Sequence, residues 1–506
     1  MFYILGFFWF IRTTKAILFW LYLWQLKEYH IGRFKAHFHT AKGKQLFLNK
    51  LIFLKIVLFF VFFGLRYVSV KPGFFDTVVD FILLFSIFML LAIYLFEAVK
   101  AIADYSLNKL IKPVFTRKMQ FLVFVLLGSV GAFLYFTIFY FQDILLGLLV
   151  FDILTPVIVS FVVLFFQPLT VLLRNQIIKK ATKKREKFKN LLVIGITGSY
   201  GKTSTKEFLW TILSEKFGKD KVLKTKEHQN SEIGISQCIL NNLKPGHEIF
   251  ICEMGAYNRG GIKLLCNIAK PKIGILTGIN QQHLATFGSQ ENIIKTKYEL
   301  IESLPKDGTA IFNSNNKYCL ELYQKTQVKK ILYGQGAVLA DSENIAGAVE
   351  AAKELGMTDE EIDKARKKIR PWLQVKKGIK GLNIIDATYS ANPNGVISHL
   401  EYLKTWETKK IIVMPCLIEL GRASKQVHQE IGKKIGEVCD LAIITTKDFF
   451  EALKKSAIES KMPEQNILFL ENPKQIFEKI NSFTKQGDII LLESRVPKEL
   501  IKLLSD

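Results

Sequence analysis

The chain has 506 residues, a formal net charge of +24, 49% hydrophobic residues and 41 Phe. That combination excludes a disordered basic tail, which lacks apolar surface to bury, and an ordinary soluble enzyme. Length alone suggests about three domains at roughly 150 residues each.

Charge and Phe are unevenly spread. Residues 1–190 carry 24 Lys and Arg against 8 Asp and Glu, a net of +16, together with 31 of the 41 Phe, and the remainder carries +8. Apolar runs approaching the ~20 residues that cross a bilayer lie at 47–66, 77–98, 119–141 and 144–173. A further run at 1–25 holds Arg12 and Lys15 near its middle. Each cation there costs ~2.5–3.5 kcal/mol on an insertion scale, so this segment is expected either to span or to lie in the interface.

Lys27, Arg33, Lys35, Lys42 and Lys44 fill the 26–46 loop, and Lys100, Lys109, Lys112, Arg117 and Lys118 fill the 99–118 loop. Both are expected on the cytoplasmic side. The 67–76 turn has only Lys71, and the turn after Gln142 has Asp143 and no cation, so both are expected outside. A basic run from Arg174 to Lys189 follows the last span and places the rest of the chain in the cytoplasm. The expectation is a multi-pass protein of the cell membrane, with a transmembrane region of four or five helices over 1–178 and a basic juxtamembrane linker over 179–190. No cleavable signal peptide is expected, because no small-residue cleavage site follows the first run.

The basic run lacks aromatics interleaved for base stacking beyond Phe188, so the bilayer surface, and not nucleic acid, is its expected partner. Asp152 in the last span reads either as a functional intramembrane acid or as a solvated residue near the outer end, the second being favoured. All six Cys lie beyond residue 190 without a CxxC pair, as in a reduced cytoplasmic domain with structural thiols.

From Leu191 the pattern changes to short β-branched runs alternating with helical segments. Strands are expected at Leu191–Thr197, Glu248–Met254, Lys272–Ile279 and Thr309–Phe312. A second series is expected at Asn383–Asp386, Lys410–Met414, Leu441–Thr445, Asn466–Leu470 and Asp488–Leu492, with a mostly helical stretch over 339–370 between the two series. Two successive parallel-sheet α/β units follow, at 191–378 and 379–506.

The first strand runs into Gly195-Ile196-Thr197-Gly198-Ser199-Tyr200-Gly201-Lys202-Thr203-Ser204 and then a helix. Backbone N–H groups of Gly198, Ser199 and Gly201 can turn onto a triphosphate at the helix N-terminus. Lys202 can reach the β- and γ-oxygens, and Thr203 and Ser204 carry the hydroxyls, that of Thr203 suited to Mg²⁺. ATP or a similar nucleotide is the inference. The usual phosphate-loop pattern wants Gly at 196, where Ile stands.

The TGSYGKTS stretch with its displaced glycine resembles the phosphate loop of the Mur ligases, which build the peptide stem of bacterial cell-wall precursors. Further segments agree in order: His228-Gln229-Asn230-Ser231-Glu232-Ile233-Gly234 resembles NNEIG, and Glu253-Met254-Gly255-Ala256 resembles EMGA. Gln282-His283-Leu284, Phe287-Gly288-Ser289 and Lys297-Tyr298-Glu299-Leu300 are similar to AHL, FGS and KxEI. Ile385–Pro393 is similar to IDDSYNANP, and Glu419-Leu420-Gly421 with His428 to the ELG-x-H segment. The similarity covers most of 191–500, lies nearest the D-alanyl-D-alanine-adding branch, and leaves out 1–190.

After the helical membrane region read from the apolar runs, the resemblance implies an ATP-binding central domain and a Rossmann-like C-terminal domain. It further implies an ATP-dependent, ADP-forming carbon–nitrogen ligase of peptidoglycan synthesis. Its substrates would be a muramyl peptide, soluble or lipid-linked, and D-alanyl-D-alanine, with other cell-wall synthesis proteins as partners. Glu253 and His283, at the carboxyl edge of expected strands, would hold Mg²⁺ with Thr203 and Lys297, the last as a carbamate formed with CO₂. Lys202, His283 and Lys297 would be the catalytic set. Asn313 would contact adenine, and Asp386, Tyr389, Asn392 and Pro393 would close over nucleotide and amine.

The pattern departs from the family at Ala387 and Ser390, which stand where Asp and Asn are usual, and at Asp341-Ser342-Glu343-Asn344, where HNVYN is expected. No GR pair appears near Leu373, and the membrane region stands where a UDP-sugar-binding domain is usual. Two alternatives follow: a related ligase adding another amino acid or polyglutamate, and a non-catalytic ATP-binding membrane scaffold.

Overall fold

A computed structural model describes the chain except residues 1, 39, 48, 68–73, 141–143, 227–228, 336–339, 370–374, 389–391 and 506. It divides into two compact units, residues 1–173 and 174–506. Parts of the 67–76 turn, the turn holding Asp143, His228, Leu373, Tyr389 and Ser390 lie outside the described residues.

The first unit is helical: α1 (Phe2–Leu26), α2 (Ile31–His37), α3 (Ala41–Gln45), α4 (Lys50–Tyr67), α5 (Phe74–Ser106), α6 (Arg117–Phe139) and α7 (Ile144–Phe165). Among the described residues five helices are long and apolar enough to cross a membrane. Phe53, Phe81, Phe124 and Phe161 are exposed while Leu5, Trp9, Leu90 and Val159 are buried. The Phe-rich composition therefore serves an apolar exterior as well as a core. The 144–173 run is not one helix: α7 ends at Phe165, and α8 (Gln167–Glu186) begins with Pro168 in its first turn, where a missing N–H costs nothing. The stretch expected as a linker continues α8 as helix to Glu186.

Asp152 corrects the sequence reading. It is 2% exposed, not solvated, and its carboxylate meets the Arg12 guanidinium and, at 2.8 Å, the Lys55 ammonium. Glu97 closes the set, 2.5 Å from Lys55 and 3.4 Å from Arg12. Two cations and two anions from α1, α4, α5 and α7 thus neutralise one another, which removes the penalty an isolated buried charge would carry. The α1 helix joins the bundle, with Trp9 Nε1 donating to the Leu148 carbonyl at 3.0 Å. Lys15 instead pairs with Asp104 at 2.7 Å, where both side chains are about a third exposed (30% and 28%).

In the second unit, one parallel sheet has strand order β2-β3-β1-β4-β5-β6, with β1 (Leu192–Thr197), β2 (Val222–Lys224), β3 (Ile249–Glu253), β4 (Ile273–Leu276), β5 (Thr309–Asn313) and β6 (Lys329–Tyr333). Its helices are α9 (Lys202–Phe217), α10 (Glu232–Asn242), α11 (Gly261–Ala269), α12 (Leu284–Phe287), α13 (Gln290–Glu302), α14 (Lys317–Lys325), α15 (Ala340–Glu354) and α16 (Asp359–Arg366). Val193 packs on one face with α10, α11 and α13, and Ile194 and Ile196 on the other with α9 and α15. Burial of both faces explains the continuous apolar runs. At the sheet's opposite edge, Arg185 on α8 donates to the carbonyls of Ala269, Phe188 and Leu191.

A second sheet has order β11-β10-β9-β12-β8-β7. Its strands are β7 (Val375–Lys377), β8 (Asn383–Ala387), β9 (Lys410–Met414), β10 (Leu441–Ile444), β11 (Ile467–Phe469) and β12 (Ile489–Glu493), parallel apart from β7. Helices α17 (Pro393–Lys404), α18 (Ser424–Val438), α19 (Phe450–Glu459), α20 (Pro473–Phe483) and α21 (Lys498–Ser505) cover its faces. The short strands β2, β6 and β7 are additions to the sequence expectation. All six Cys are free and buried.

Candidate active site

The site lies at the carboxyl edge of the first sheet, where open parallel sheets gather their loops. β1 ends at Thr197, four residues turn, and α9 starts at Lys202. Two glycines make the turn feasible. Gly198 has φ 153°, and a Cβ there would collide with the Thr277 hydroxyl. Gly201 has φ 75° and faces the Asn344 side chain. The Ser199 hydroxyl accepts from the Asn280 N–H at 3.2 Å, tying the loop to the segment after β4. Ser204 and Thr203 face a cavity of about 750 Å³ together with Asn315, Asn316, Asn392 and His399.

Lys202 folds back over its own loop, donating to the carbonyls of Gly198 at 2.8 Å and Ser199 at 3.2 Å. Burial lowers its affinity for a proton, and Glu253 opposes that. Thr203 Oγ1 lies 3.0 and 3.1 Å from the two oxygens of Glu253, the last residue of β3. Asn230 donates to Glu253 at 3.1 Å, and Lys206, fully buried on α9, places its ammonium 3.3 Å away. Neither Lys206 nor Asn230 stood out singly in the sequence: one reads as a helix lysine, the other as part of a matched segment.

Lys297 on α13 is buried, with Nζ 3.4 Å from the Ala256 carbonyl. Burial first, then the Lys202 charge, bring its amine down to about 7, against a pull upward from Glu299. His283 follows β4 with φ 65° and packs edge-on against Tyr257. Its Nδ1 is 2.7 Å from Glu419 Oε2, a residue of the second sheet's loops. Burial lowers the His283 proton affinity, Glu419 raises it, and Lys297 and Lys202 lower it again. Lys202 therefore lies within electrostatic reach of Glu253, His283 and Lys297, and Lys297 within reach of His283.

A divalent cation fits this donor set. Mg²⁺ prefers oxygen ligands and is commonly held by one or two carboxylates plus substrate phosphates, and the Thr203 hydroxyl and Glu253 carboxylate are adjacent beside the phosphate loop. Among the described residues no group of three His, Cys, Asp or Glu forms a self-sufficient metal cage.

Asn313 closes β5, but its amide donates to the Thr277 carbonyl at 2.9 Å and to Glu343 at 3.1 Å. Its neighbours Asn315 and Asn316 line the cavity instead. Glu343 and Asn344 take part through Asn315, Asn313 and Thr205, contacts that long sequence separation hides. Asp386, the penultimate residue of β8, has Oδ1 accepting from the Thr388 N–H and hydroxyl. Asn392 caps α17, accepting from Gly395 N–H at 2.9 Å, with Pro393 in the first turn. Asn280 donates to Asn394 at 2.7 Å across the two sheets. Behind them His399 meets Glu493 at 2.5 Å, both buried.

His428 is structural. Its Nε2 accepts from Leu417 N–H at 2.9 Å and its Nδ1 lies 2.6 Å from the Ser424 carbonyl, which fixes the loop carrying Glu419. The imidazole is thus neutral, and burial lowers its proton affinity.

A phosphate loop feeding a parallel sheet, with a second Rossmann-like sheet closing over the same edge, defines a two-domain nucleotide-binding α/β assembly. Residues 196–360 match the Mur ligase middle domain and residues 373–495 the Mur ligase, glutamate ligase domain. The chain belongs to the Mur ligase family. It is 31% identical over 279 residues to the UDP-N-acetylmuramoyl-tripeptide--D-alanyl-D-alanine ligase of Synechocystis sp., covering 50% of this chain and 60% of that protein. Identity to the Bacillus subtilis enzyme of that name is 25%, over 62% of this chain and 75% of the relative. The MurF ligase of Thermotoga maritima, solved in complex with ADP, superposes with TM-score 0.55 at 26% identity, over 65% of this chain and 83% of that one. MurF of Acinetobacter baumannii shares the fold, at TM-score 0.57 and 23% identity, over 64% and 78%. Both family matches lie beyond residue 195.

Proposed function

We propose that the chain is an ATP-dependent, ADP-forming ligase that joins D-alanyl-D-alanine to a muramyl tripeptide, with residues 1–173 embedded in the cell membrane and the two sheets in the cytoplasm. The observation that carries the reading is the convergence of Lys202, Thr203, Glu253, His283 and Lys297 at one sheet edge, where Lys202 and Thr203 line the same cavity as Asn392. The +16 of residues 1–190, gathered in two loops and the run before β1, supports the orientation.

A carboxylate does not accept an amine directly, because oxide is too poor a leaving group. Transfer of the γ-phosphoryl of ATP to the carboxylate releases ADP and yields an acyl phosphate. The amine then attacks the acyl carbon, phosphate leaves, and the amine's proton goes to solvent. Such chemistry demands positioning and charge neutralisation above all. Lys202 supplies positive charge at the phosphates, and Gly198 to Gly201 supply backbone N–H groups. Thr203, Glu253 and His283 would hold Mg²⁺, which when bound neutralises charge between γ-phosphate and carboxylate. Lys297, with its amine near neutrality, is suited to react with CO₂ to a carbamate, turning a cation into an anion beside that site.

ADP release by the full chain in detergent tests the proposal, with D-alanyl-D-alanine and either soluble UDP-muramyl-tripeptide or its lipid-linked counterpart. Turnover that needs both the dipeptide and Lys202 supports the ligase. Turnover with glutamate and not with the dipeptide refutes the assigned amine, and preference for the lipid-linked acceptor identifies the membrane as its source.

A further inference from the structure

The second sheet does more than cover the nucleotide edge. Its loop after β9 carries Glu419 with φ 66°, a strained conformation for a residue with a side chain. Three contacts hold it there. The Glu419 carbonyl accepts from Ala285 N–H at 3.2 Å, Gly421 packs against the backbone of Ala285, and His428 fixes Leu417 from behind. The result is a carboxylate oxygen 2.7 Å from Nδ1 of His283. A carboxylate accepting at Nδ1 makes that nitrogen the protonated one and leaves the lone pair on Nε2. Histidines that ligate metals are commonly oriented this way, the partner carboxylate fixing tautomer and ring plane.

We propose that Glu419 is a positioning residue for the divalent cation: delivered by the second sheet, it locks His283 with Nε2 as the ligand atom. The inference rests on the ligase reading above, in which His283 is a ligand. Metal competence is then a property of the docked pair of domains. Separation of the sheets frees the imidazole to rotate and to change tautomer, and the nucleotide site loses one ligand without any change in its own sequence. Phosphoryl transfer in an open enzyme, with water at the acyl phosphate, is thereby suppressed.

The test uses the full chain in detergent with Mn²⁺ as probe and a non-hydrolysable ATP analogue, free Mn²⁺ being read by electron paramagnetic resonance. Glu419→Gln keeps size and the backbone contact to Ala285, but its amide can donate to Nδ1 and stabilise the wrong tautomer. It is expected to weaken Mn²⁺ about 10- to 100-fold, while metal-free binding of the analogue stays within about twofold. His283→Ala should weaken Mn²⁺ by a similar factor, and the double variant should be no weaker than His283→Ala alone. Multiplying effects in the double variant, or Mn²⁺ affinity unchanged in Glu419→Gln while His283→Ala is impaired, overturns the proposal and leaves the ligase reading standing. Loss of analogue and metal binding together in Glu419→Gln overturns it in favour of a docking role. Unchanged affinity in His283→Ala overturns both the proposal and the assignment of His283 as a ligand.

Discussion

Replacing Asp152 by Asn should damage the helical unit far more than the same change at Asp104, although both acids pair with lysine. The Asp152 side chain is 1% exposed and faces two cations, Arg12 and Lys55, the latter 2% exposed. Its removal leaves two positive charges sharing Glu97 alone in a desolvated setting. Breaking a buried pair in this way costs about 3–5 kcal/mol. The Lys15–Asp104 pair, about a third exposed on both sides, is screened by solvent and contributes little. SDS titration in mixed micelles measures the difference, with fluorescence of Trp9, Trp20 and Trp24 in a background where Trp210, Trp372 and Trp406 are Phe. Removing one charge of each sign, as Asp152→Leu with Lys55→Met, leaves the Arg12–Glu97 pair and should recover most of the loss. Equal costs at 152 and 104, or no recovery in the paired variant, would refute the charge-balance account.

Lys202→Ala should lower the rate of ADP formation by about 10²–10³, the loss typical of one preorganised charge-stabilising donor, with the fold retained by circular dichroism. Lys297→Ala should lose turnover and regain part of it with added short carboxylic acids; parent-like activity without response to acid would show the residue to be incidental. Only the neutral amine reacts with CO₂, so with its proton affinity at about 7 the ¹³C-carbamate signal from labelled bicarbonate should rise between pH 6 and pH 8 in the parent and be missing in Lys297→Ala. His428→Leu leaves the Leu417 N–H unpaired, costing about 1–3 kcal/mol by urea unfolding of the second-sheet domain. Burial holds the native His428 neutral, so below the unfolded value of about 6.5 the unfolded chain takes up a proton that the native one does not. Stability from this group is then present above that pH and falls as pH drops, and the gap between parent and His428→Leu should narrow in acid.

Most strands were legible because a sheet buried on both faces writes an uninterrupted apolar run, as in Leu192–Thr197 and Ile489–Glu493. β2, β6 and β7 were not, since edge strands such as Val375–Lys377 are short and exposed and carry lysines. The phosphate loop was legible as a local motif, and His283 and Lys297 through the resemblance. Asp152 hides from a sequence reading because its partners, Arg12 and Lys55, come from two other helices. Glu343, Glu419 and Glu493 likewise acquire their partners only in the folded chain, across separations that no periodicity records.

The buried thiols have a practical consequence. Desolvation raises the proton affinity of Cys238, Cys252, Cys266, Cys319, Cys416 and Cys439 alike, and a thiol held protonated out of water is a poor nucleophile toward maleimides. The native chain is accordingly close to a cysteine-free background for labelling. Single cysteines placed in the 26–46 and 99–118 loops, or beside Lys71, can be read from either side of sealed vesicles without first stripping the six natural ones. Paired cysteines on the two sheets can carry spectroscopic probes of their approach.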